Sequence, residues 1–367
     1  MSGGVLSLAY YLPQFHEIEE NNRWWGQGFT EWTHLREAEA YFPWQQIRRP
    51  IAPLGEYDLL NPETLELQNR IANDYGIDGF MVFDYWFGRG RTLLEKPMQQ
   101  VLEKSLNFNF CFCWANHSWY NKRDNILLCE QQYLGVDDYR DYFYRRLPYF
   151  KSERYIRVDG KPVFGIFNPK EIADLSVFVE TFRSLAVDEG LGGLYLIAEN
   201  TDSLSAHAQY FDRYTKAANI FKGRNRNNTV SYLKEKLTRK LDFKGLGPFW
   251  YDFRRMAINL VPTHPDPKWV ATVFSGWDTT PRHKKRGTIL KGFDAESFRE
   301  HLASMKPVLM GNEQTQKLII IKSWNEWAEG NVMEPDSIFG YQLLDAYKDF
   351  VSTLSIDNRN SNKNENR

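Results

Sequence analysis

The stretch Leu318–Gly330 reads LIIIKSWNEWAEG, and it indicates the fold class because an apolar run leads directly into a polar and aromatic segment. Four apolar residues in succession predict a parallel strand that is buried on both faces. The eight residues that follow Lys322 include two tryptophans, one asparagine and two glutamates. A loop of this composition at the end of a buried strand is typical of the functional face of an α/β protein.

The same pattern recurs along the chain and predicts eight strands: Val5–Tyr10, Gly79–Phe83, Phe108–Cys113, Val163–Phe167, Tyr195–Ala198, Tyr214–Ala218, Val270–Phe274 and Leu318–Lys322. Helices are predicted at Pro62–Tyr75, Leu93–Leu106, Asp137–Phe150, Leu175–Glu189, Val230–Lys240, Ala295–Lys306 and Tyr341–Ser352. Eight strands with helical crossovers favour an α/β protein, a (β/α)8 TIM-type barrel with long loops at the C-terminal face. A doubly wound open sheet is the alternative, but it predicts a Gly-rich turn after the first strand. Residues Tyr10–His16 read YYLPQFH, so the barrel is preferred.

One barrel domain over residues 1–354, with insertions at about 17–57 and 218–267, accounts for most of the 367 residues. The Asn-rich composition of residues 355–367 predicts a disordered polar tail. Residues 213–244 contain ten Lys or Arg and two Asp or Glu. A solvated helix explains this basic segment, and the sharper alternative is contact with anionic lipid headgroups or with a lipid-linked glycan.

Composition excludes several classes of protein. A formal net charge of −1 argues against a nucleic-acid binder. Three cysteines cannot form a disulfide framework, and Cys111 and Cys113 are predicted to be buried thiols. No His or Cys cluster has ligand spacing, so neither a metal nor a cofactor is expected. The N-terminus does not resemble a signal peptide and no run of about 20 apolar residues occurs. A cytoplasmic protein is expected, with peripheral contact at the inner membrane through residues 213–244 as the alternative.

Polar and aromatic side chains follow most of the predicted strands at the same end. This bias predicts a site for sugars, whose C–H faces stack on aromatic rings and whose hydroxyls need fixed donors and acceptors. The chain has 12 Trp, and ten follow predicted strands or lie in the first insertion, so we expect tryptophans to line or roof one end of the barrel. The predicted substrate-binding residues are Tyr11, Gln14, His16, Asp84, Tyr85, Trp86, Trp114, Asn116, His117, Trp277, Asp278, Arg282, Trp324, Asn325 and Trp327.

Glu326 and Glu329 are the predicted catalytic residues. Glycosidic bond chemistry generally uses two carboxyl groups, and residues three apart on one helical turn project from the same side. Trp324 and Trp327 beside them would limit solvation and raise the pKa of one carboxyl group. The alternative is that both glutamates only cap the following segment or pair with an arginine.

Five motifs carry a resemblance to a known family. They are YLPQFHEIEENNRWWGQGFTEW at Tyr11–Trp32, FDYWFGRGRTLLEKP at Phe83–Pro97, CWANHSW at Cys113–Trp119, GWDTTPR at Gly276–Arg282 and SWNEWAEGNVMEPD at Ser323–Asp336. In this order they resemble WbsX-type proteins, which are glycoside hydrolase family 99-like and related to the endo-α-mannosidases. The similarity extends from about Leu6 to Tyr347.

This resemblance implies a (β/α)8 barrel that acts on glycans in bacterial lipopolysaccharide or capsule biosynthesis. By position in the related mannosidases, Glu326 would be a general base acting on the sugar 2-hydroxyl and Glu329 the general acid, with net retention through a 1,2-anhydro sugar. The sequence departs from the expected pattern at His117, where the family has Glu, and at Thr279, where Asn is common. Both departures bear on the substrate more than on the reaction centre.

Three functions remain open at this level. The first is a glycosyltransferase or retaining glycoside hydrolase that uses the two glutamates. The second is a catalytically silent glycan-binding subunit of a polysaccharide assembly complex, which a buried glutamate pair engaged by arginine would favour. The third is a nucleotide-sugar transferase, which ranks lowest because neither an Asp-x-Asp metal motif in a suitable loop nor a Gly-rich phosphate turn is present.

Overall fold

The fold is a barrel of eight parallel strands. The computed structural model describes residues 4–365 apart from 122–125, 203, 242–245, 263–265 and 312–316, and it describes only the backbone of residue 241 and of 355–365. The barrel strands are β1 (Val5–Tyr11), β2 (Gly79–Trp86), β3 (Phe110–Trp114), β4 (Lys161–Ile166), β5 (Tyr195–Ala198), β6 (Arg213–Tyr214), β7 (Ala271–Phe274) and β8 (Lys317–Lys322). Each overlaps a strand predicted from the sequence.

The strands pair in the order β6-β5-β4-β3-β2-β1-β8-β7, and all of these pairs are parallel. An isolated parallel bridge between Tyr214 and Trp269 joins the two edges of this sheet. Because the sheet curls back on itself, the carboxyl ends of the strands meet around one mouth. The predicted (β/α)8 architecture is confirmed.

Twelve helices are present in the described residues. They are α1 (Glu19–Trp25), α2 (Glu31–Arg36), α3 (Pro62–Asp74), α4 (Lys96–Glu103), α5 (Val136–Phe150), α6 (Leu175–Asp188), α7 (Arg224–Asn227), α8 (Thr229–Leu241), α9 (Phe253–Ala257), α10 (Thr280–His283), α11 (Ala295–Met310) and α12 (Gln342–Glu365). The seven predicted helices correspond to α3, α4, α5, α6, α8, α11 and α12. Helix α3 begins as its sequence predicts, with the Asn61 side chain accepting from Glu63 N–H at 3.1 Å and proline at the first helical position.

Helix α12 runs into the C-terminal segment, and the disordered polar tail expected at residues 355–367 stays a prediction. Residues 355–367 have a polar composition, yet the backbone continues α12 as far as Glu365. A helix can extend past its packed part, because each added residue costs little once the helix has formed. Residues 366 and 367 lie outside the described residues.

The two predicted insertions contribute structure at the C-terminal mouth. Residues 17–57 form α1 and α2. Residues 218–267 include α7, α8, α9 and a short strand, Phe249–Asp252, which pairs in parallel with Thr288–Lys291 from the loop after β7. Residues 242–245 and 263–265 of the second insertion, and with them the end of the basic segment 213–244, lie outside the described residues.

Candidate active site

Three carboxylates and one guanidinium group meet at the mouth of the barrel. Arg282 Nη1 donates to Glu329 Oε1 at 2.5 Å, and Arg282 Nη2 donates to Glu31 Oε2 at 2.9 Å. The same Nη2 lies 3.5 Å from Glu326 Oε2. We call these four residues the carboxylate cluster. It brings the two predicted catalytic glutamates to one cation.

A tight turn gives the two glutamates their positions. Trp327–Glu329 form a single 3-10 turn, and the residues on either side of it pair as short antiparallel strands. Gly330 ends the turn with a φ of 57°, and a Cβ at this position would lie 2.9 Å from the backbone nitrogen of Asp278. Only glycine fits there. Asp278 N–H consequently reaches the Glu329 carbonyl oxygen at 2.7 Å, which fixes the turn against the loop after β7.

The first insertion closes over this site and supplies Glu31. Arg48 from the insertion pairs with the buried Asp336 at 2.7 Å and donates to the carbonyl oxygens of Ser275 and Val332, each at 2.7 Å. Gln45 Nε2 donates to Asp278 Oδ2 at 2.7 Å. These bonds attach the insertion to the loops after β7 and β8, so the site depends on segments that are distant in sequence.

Burial and charge set the protonation of Glu326. Burial, and after it the neighbouring Glu329, raise its pKa to about 8 against the opposing charges of Arg282 and Lys322. Burial also raises the pKa of Tyr85, whose environment includes Glu326, Arg282 and Glu31. The Tyr85 side chain therefore lies near the carboxylate cluster. A carboxyl group with a pKa near 8 holds its proton at neutral pH.

A second buried polar group lies deeper in the barrel mouth. The Tyr10 hydroxyl donates to Glu199 Oε2 in a short hydrogen bond, and Lys322 Nζ lies over the Tyr10 ring, 5.5 Å from its centroid. Lys322 opposes the burial-induced rise in the pKa of both Glu199 and Glu326. The positive charge of Lys322 therefore acts on Glu199 and on the carboxylate cluster alike.

The sequence-based site omitted Glu31, Glu199 and Lys322. Glu199 and Lys322 lie at the ends of β5 and β8, so the strand-end rule that selected the other residues would have found both. Glu31 lies in the first insertion, and only its place in the motif at Tyr11–Trp32 set it apart.

Five predicted substrate-binding residues lie outside the site, in the layer between the strands and the helices or in loop contacts. Asp84 forms a bidentate ion pair with Arg146 of α5, at 2.7 and 2.8 Å. The other four also have internal hydrogen bonds: Tyr11 to Gln68, Trp86 to Asp138, Trp114 to the Trp86 carbonyl oxygen, and Asn116 to the Asn168 backbone. Successive side chains on a strand point to opposite faces, so Tyr10 and Tyr85 face the mouth whereas Tyr11, Asp84 and Trp86 do not.

Other predicted residues brace the loops around the cluster. Asn325 pairs with the backbone of Leu12, accepting from N–H at 2.8 Å and donating to the carbonyl oxygen at 3.0 Å. The indole N–H of Trp327 donates to the buried Glu334 at 2.6 Å. Trp324 is fully buried against Phe80. These contacts fix the loop that carries Glu326 and Glu329.

The remaining predicted residues lie around the site in different environments. The Gln14 carbonyl oxygen accepts from Glu31 N–H at 3.3 Å, which helps to orient α2. His16 is buried, and desolvation lowers its pKa to about 4, so its imidazole is neutral at pH 7. The exposed His117 ring lies 5.6 Å from the Phe167 ring. Trp277 is half-buried, packs on Phe221 and Phe274, and borders a cleft beside the cluster.

The family of this chain follows from a matching family model and from two relatives. The model for Glycosyltransferase WbsX matches residues 7–347. The uncharacterized protein WxcX of Xanthomonas campestris pv. campestris is 32% identical over 351 residues in strain B100 and over 349 residues in strain ATCC 33913. The chain belongs to the WbsX glycosyltransferase family. The alignment covers 92% of this chain but 48% of each WxcX protein, so the chain spans about half the length of these curated relatives.

Solved structures with the same fold include glycoside hydrolases. The GH99 endo-α-mannosidase of Bacteroides thetaiotaomicron, in complex with bis-tris-propane, aligns with a TM-score of 0.56 at 13% identity, covering 97% of this chain and 98% of that one. A glycoside hydrolase-like protein aligns at 0.55 and 14% identity, with 96% of each chain covered. At these identities the likeness concerns the barrel fold.

The tryptophans of this WbsX-family chain do not all line the mouth. Trp86, Trp114 and Trp324 lie at the expected ends of their strands but are fully buried in the core. Trp44 and Trp277 instead border a cleft, together with Trp327 and Lys291. We call this the aromatic cleft. The prediction that tryptophans line one end holds for these residues and not for the buried ones, because large rings at strand ends also fill the strand–helix layer.

Within the described residues, no group of three or more His, Cys, Asp or Glu side chains is arranged to hold a metal ion. Cys111, Cys113 and Cys129 are free and buried, so the buried thiols predicted for Cys111 and Cys113 are confirmed. None of the helices in the described part of the chain has the length and apolar character of a membrane span.

Proposed function

We propose that this chain catalyses glycosyl transfer or retaining glycoside cleavage during assembly of a bacterial surface polysaccharide, with Glu326 and Glu329 as its two working carboxyl groups. The observation that carries the proposal is the carboxylate cluster at the mouth of the barrel. Two carboxyl groups, one protonated and one ionised, are the minimum that glycosidic bond chemistry of this kind requires. Family membership supports a carbohydrate as the substrate.

The two glutamates have different surroundings. Arg282 Nη1 donates to Glu329 Oε1 at 2.5 Å, whereas burial is the main cause that raises the pKa of Glu326 to about 8. The resemblance to endo-α-mannosidases gives the opposite roles, with Glu326 as base and Glu329 as acid. A pKa of about 8 also makes ionised Glu326 a stronger base than an ordinary glutamate, which suits attack on a sugar hydroxyl. We therefore propose the pair as a unit, since coupled groups titrate together.

The family-derived roles require a change at Arg282. For Glu329 to act as the acid on a bound glycan, its 2.5 Å contact with Arg282 has to open. A bound glycan that takes over the hydrogen bonds of Arg282 would release Glu329 and let the proton move between the two carboxyl groups. Arg282 is then a positioning residue that holds the free site in its resting charge state.

A specific observation also favours the second function, a silent glycan-binding subunit. One arginine contacts both glutamates, and Glu31 completes a polar cluster that can be purely structural. In that case the aromatic cleft binds sugar without turnover. The two functions differ in whether Glu326 and Glu329 are needed for chemistry or only for stability.

The decisive experiment measures turnover and binding in the same proteins. Wild type, Glu326→Gln and Glu329→Gln are incubated with activated aryl glycosides and with oligosaccharides released from bacterial surface polysaccharide. We expect each variant to lose activity by about a hundredfold to ten-thousandfold while calorimetric binding persists. An activated leaving group should restore turnover only to the variant that lacks the acid, which assigns the roles.

The control variant is Glu300→Gln, which removes an exposed carboxylate paired with Arg254. Activity that survives in both Glu326→Gln and Glu329→Gln would show that the proposed mechanism is wrong. Binding without turnover in the wild type across the whole panel would favour the silent subunit.

A further inference from the structure

Helix α8 exposes three apolar side chains to solvent while it buries three of its polar ones, which is unusual for a surface helix. Val230, Leu233 and Leu237 are 63%, 59% and 46% exposed. Ser231 and Thr238, in contrast, are buried. At 3.6 residues per turn the three apolar side chains lie within an arc of about 60°. We call them the apolar stripe of α8.

The buried face of α8 has specific partners that fix the helix in this orientation. Glu235 is buried and accepts hydrogen bonds from Arg224 at 2.8 Å and from the Tyr251 hydroxyl at 2.5 Å. The Ser231 hydroxyl accepts from the backbone N–H of Trp250 at 3.3 Å. Rotating the helix to bury the stripe would break these bonds and leave a charged carboxylate without compensation. The exposure of the stripe is therefore part of the folded state.

Lysines flank the stripe on both sides. On a helical projection Lys234 lies on one side of the stripe, and Lys236 and Lys240 lie on the other; all three side chains are exposed. The one acidic side chain of α8, Glu235, faces inward and is paired with Arg224 and Arg239. The outer face thus combines apolar contacts with positive charge and no opposing negative charge from the helix. This combination is complementary to a bilayer surface that contains anionic lipid.

We infer that α8 docks in the plane of an anionic membrane surface, with its apolar stripe in the interface and its lysines on the headgroups. This gives the basic segment 213–244 a defined contact face rather than a diffuse charge. The inference does not depend on the chemistry at Glu326 and Glu329.

The position of α8 adds a functional consequence that rests on the proposed function. Helix α8 packs against the strand Phe249–Asp252, which pairs with Thr288–Lys291. Ile289, Leu290 and Lys291 of that second strand line the aromatic cleft. A docked α8 therefore brings the cleft close to the membrane, where a glycan attached to a lipid carrier would be presented.

Vesicle co-sedimentation tests the docking. The full chain is mixed with vesicles of equimolar phosphatidylglycerol and phosphatidylcholine, or of phosphatidylcholine alone. We expect binding to the anionic vesicles that weakens with added salt, and about a tenfold or greater loss in the double variant Leu233→Asp, Leu237→Asp. The matched control is Val187→Asp on α6, because Val187 is 61% exposed but lies just before β5, at the opposite end of the barrel.

Further measurements keep the test decisive. Thermal melts check that each variant folds. We expect folding in each case because Leu233, Leu237 and Val187 are exposed. Glu326→Gln should bind vesicles like the wild type, so a failure of the catalytic proposal leaves the docking result intact. No binding by folded wild type, equal binding by the stripe variant, or a dimer in light scattering that the stripe variant dissolves would each overturn the inference. The dimer would identify a second copy of the chain as the occupant of the stripe.

Discussion

Arg282 and Glu329 are 47 residues apart in the chain and 2.5 Å apart in the folded protein. The same guanidinium also contacts Glu31, which lies 251 residues earlier than Arg282. One cation from the loop after β7 therefore joins the loop after β8 to the first insertion. The charge state of the candidate active site depends on this three-way contact.

Arg282→Gln should both destabilise the protein and move its pH dependence. Removing one partner of a largely buried ion pair costs about 3 kcal/mol. Because Arg282 lowers the pKa of Glu326, its loss should raise that pKa further and shift the limit of activity that Glu326 sets to higher pH. Denaturant melts and a pH–rate profile measure the two effects, and Arg254→Gln at an exposed ion pair is the control. An unchanged pH–rate profile in Arg282→Gln would contradict the proposal that Arg282 lowers the pKa of Glu326.

Stability should fall as the pH rises, through Glu326. The pKa of this carboxyl group is about 8 in the folded protein, against about 4.5 in the unfolded chain. The folded state therefore holds more protons between these values, so this group's contribution to the free energy of unfolding decreases with pH and levels off above pH 8. We expect Glu326→Gln to gain stability over the wild type by about 1 kcal/mol per pH unit in that window. Urea titrations at several pH values test this, with Glu300→Gln expected to track the wild type.

Asp84→Asn should impair folding and leave catalysis alone. Asp84 accepts hydrogen bonds from Nε and Nη2 of the buried Arg146 and from the Tyr142 hydroxyl, so its charge compensates a buried cation. We expect a loss of about 3–5 kcal/mol in unfolding free energy, with kcat of the folded fraction unchanged. Asp141→Asn, at an exposed pair on α5, should have little effect. A large fall in kcat without loss of stability would indicate that Asp84 takes part in substrate binding, as the sequence predicted.

Trp44→Ala should weaken glycan binding without unfolding the protein. Trp44 is partly exposed at the aromatic cleft, stacks on Phe42 with ring centroids 4.8 Å apart, and lies under Lys291 Nζ. Losing one stacking surface should raise KM about tenfold and change kcat little. Trp25→Ala is the matched control, because Trp25 is similarly exposed in the same insertion but does not border the cleft. An equal rise in KM in both variants would count against a sugar site in the cleft.

Much of the fold was predictable because parallel barrel strands have a strong local signature. The run at Leu318–Ile321 is apolar on every residue, and β8 lies there with both faces buried. The short β6 has little such signal, and it joins the barrel through Tyr214, which pairs with β5 and bridges to Trp269. Its membership of the sheet is a property of the closed barrel rather than of its own residues.

The site was predictable in part. Glu326 and Glu329 follow from a motif, and their contact with one cation appears only in the folded chain. Tyr11 and Asp84 follow strands at the right end but face the helices, because a strand's side chains alternate between its two faces. If the predicted end of a strand is wrong by one residue, the side chains expected to face the mouth face the helices instead.

The sequence by itself determined the barrel, the order of its elements, the family and the loop that carries two glutamates. Local hydrophobic runs and motifs predict these features, and no information on distant contacts is required. Tertiary structure alone decided that Glu31 joins the site, that Arg282 contacts all three of its carboxyl groups and that the apolar stripe of α8 faces outward. The physical reason is that charge pairing and burial depend on which distant segments the closed barrel brings within a few ångströms of one another.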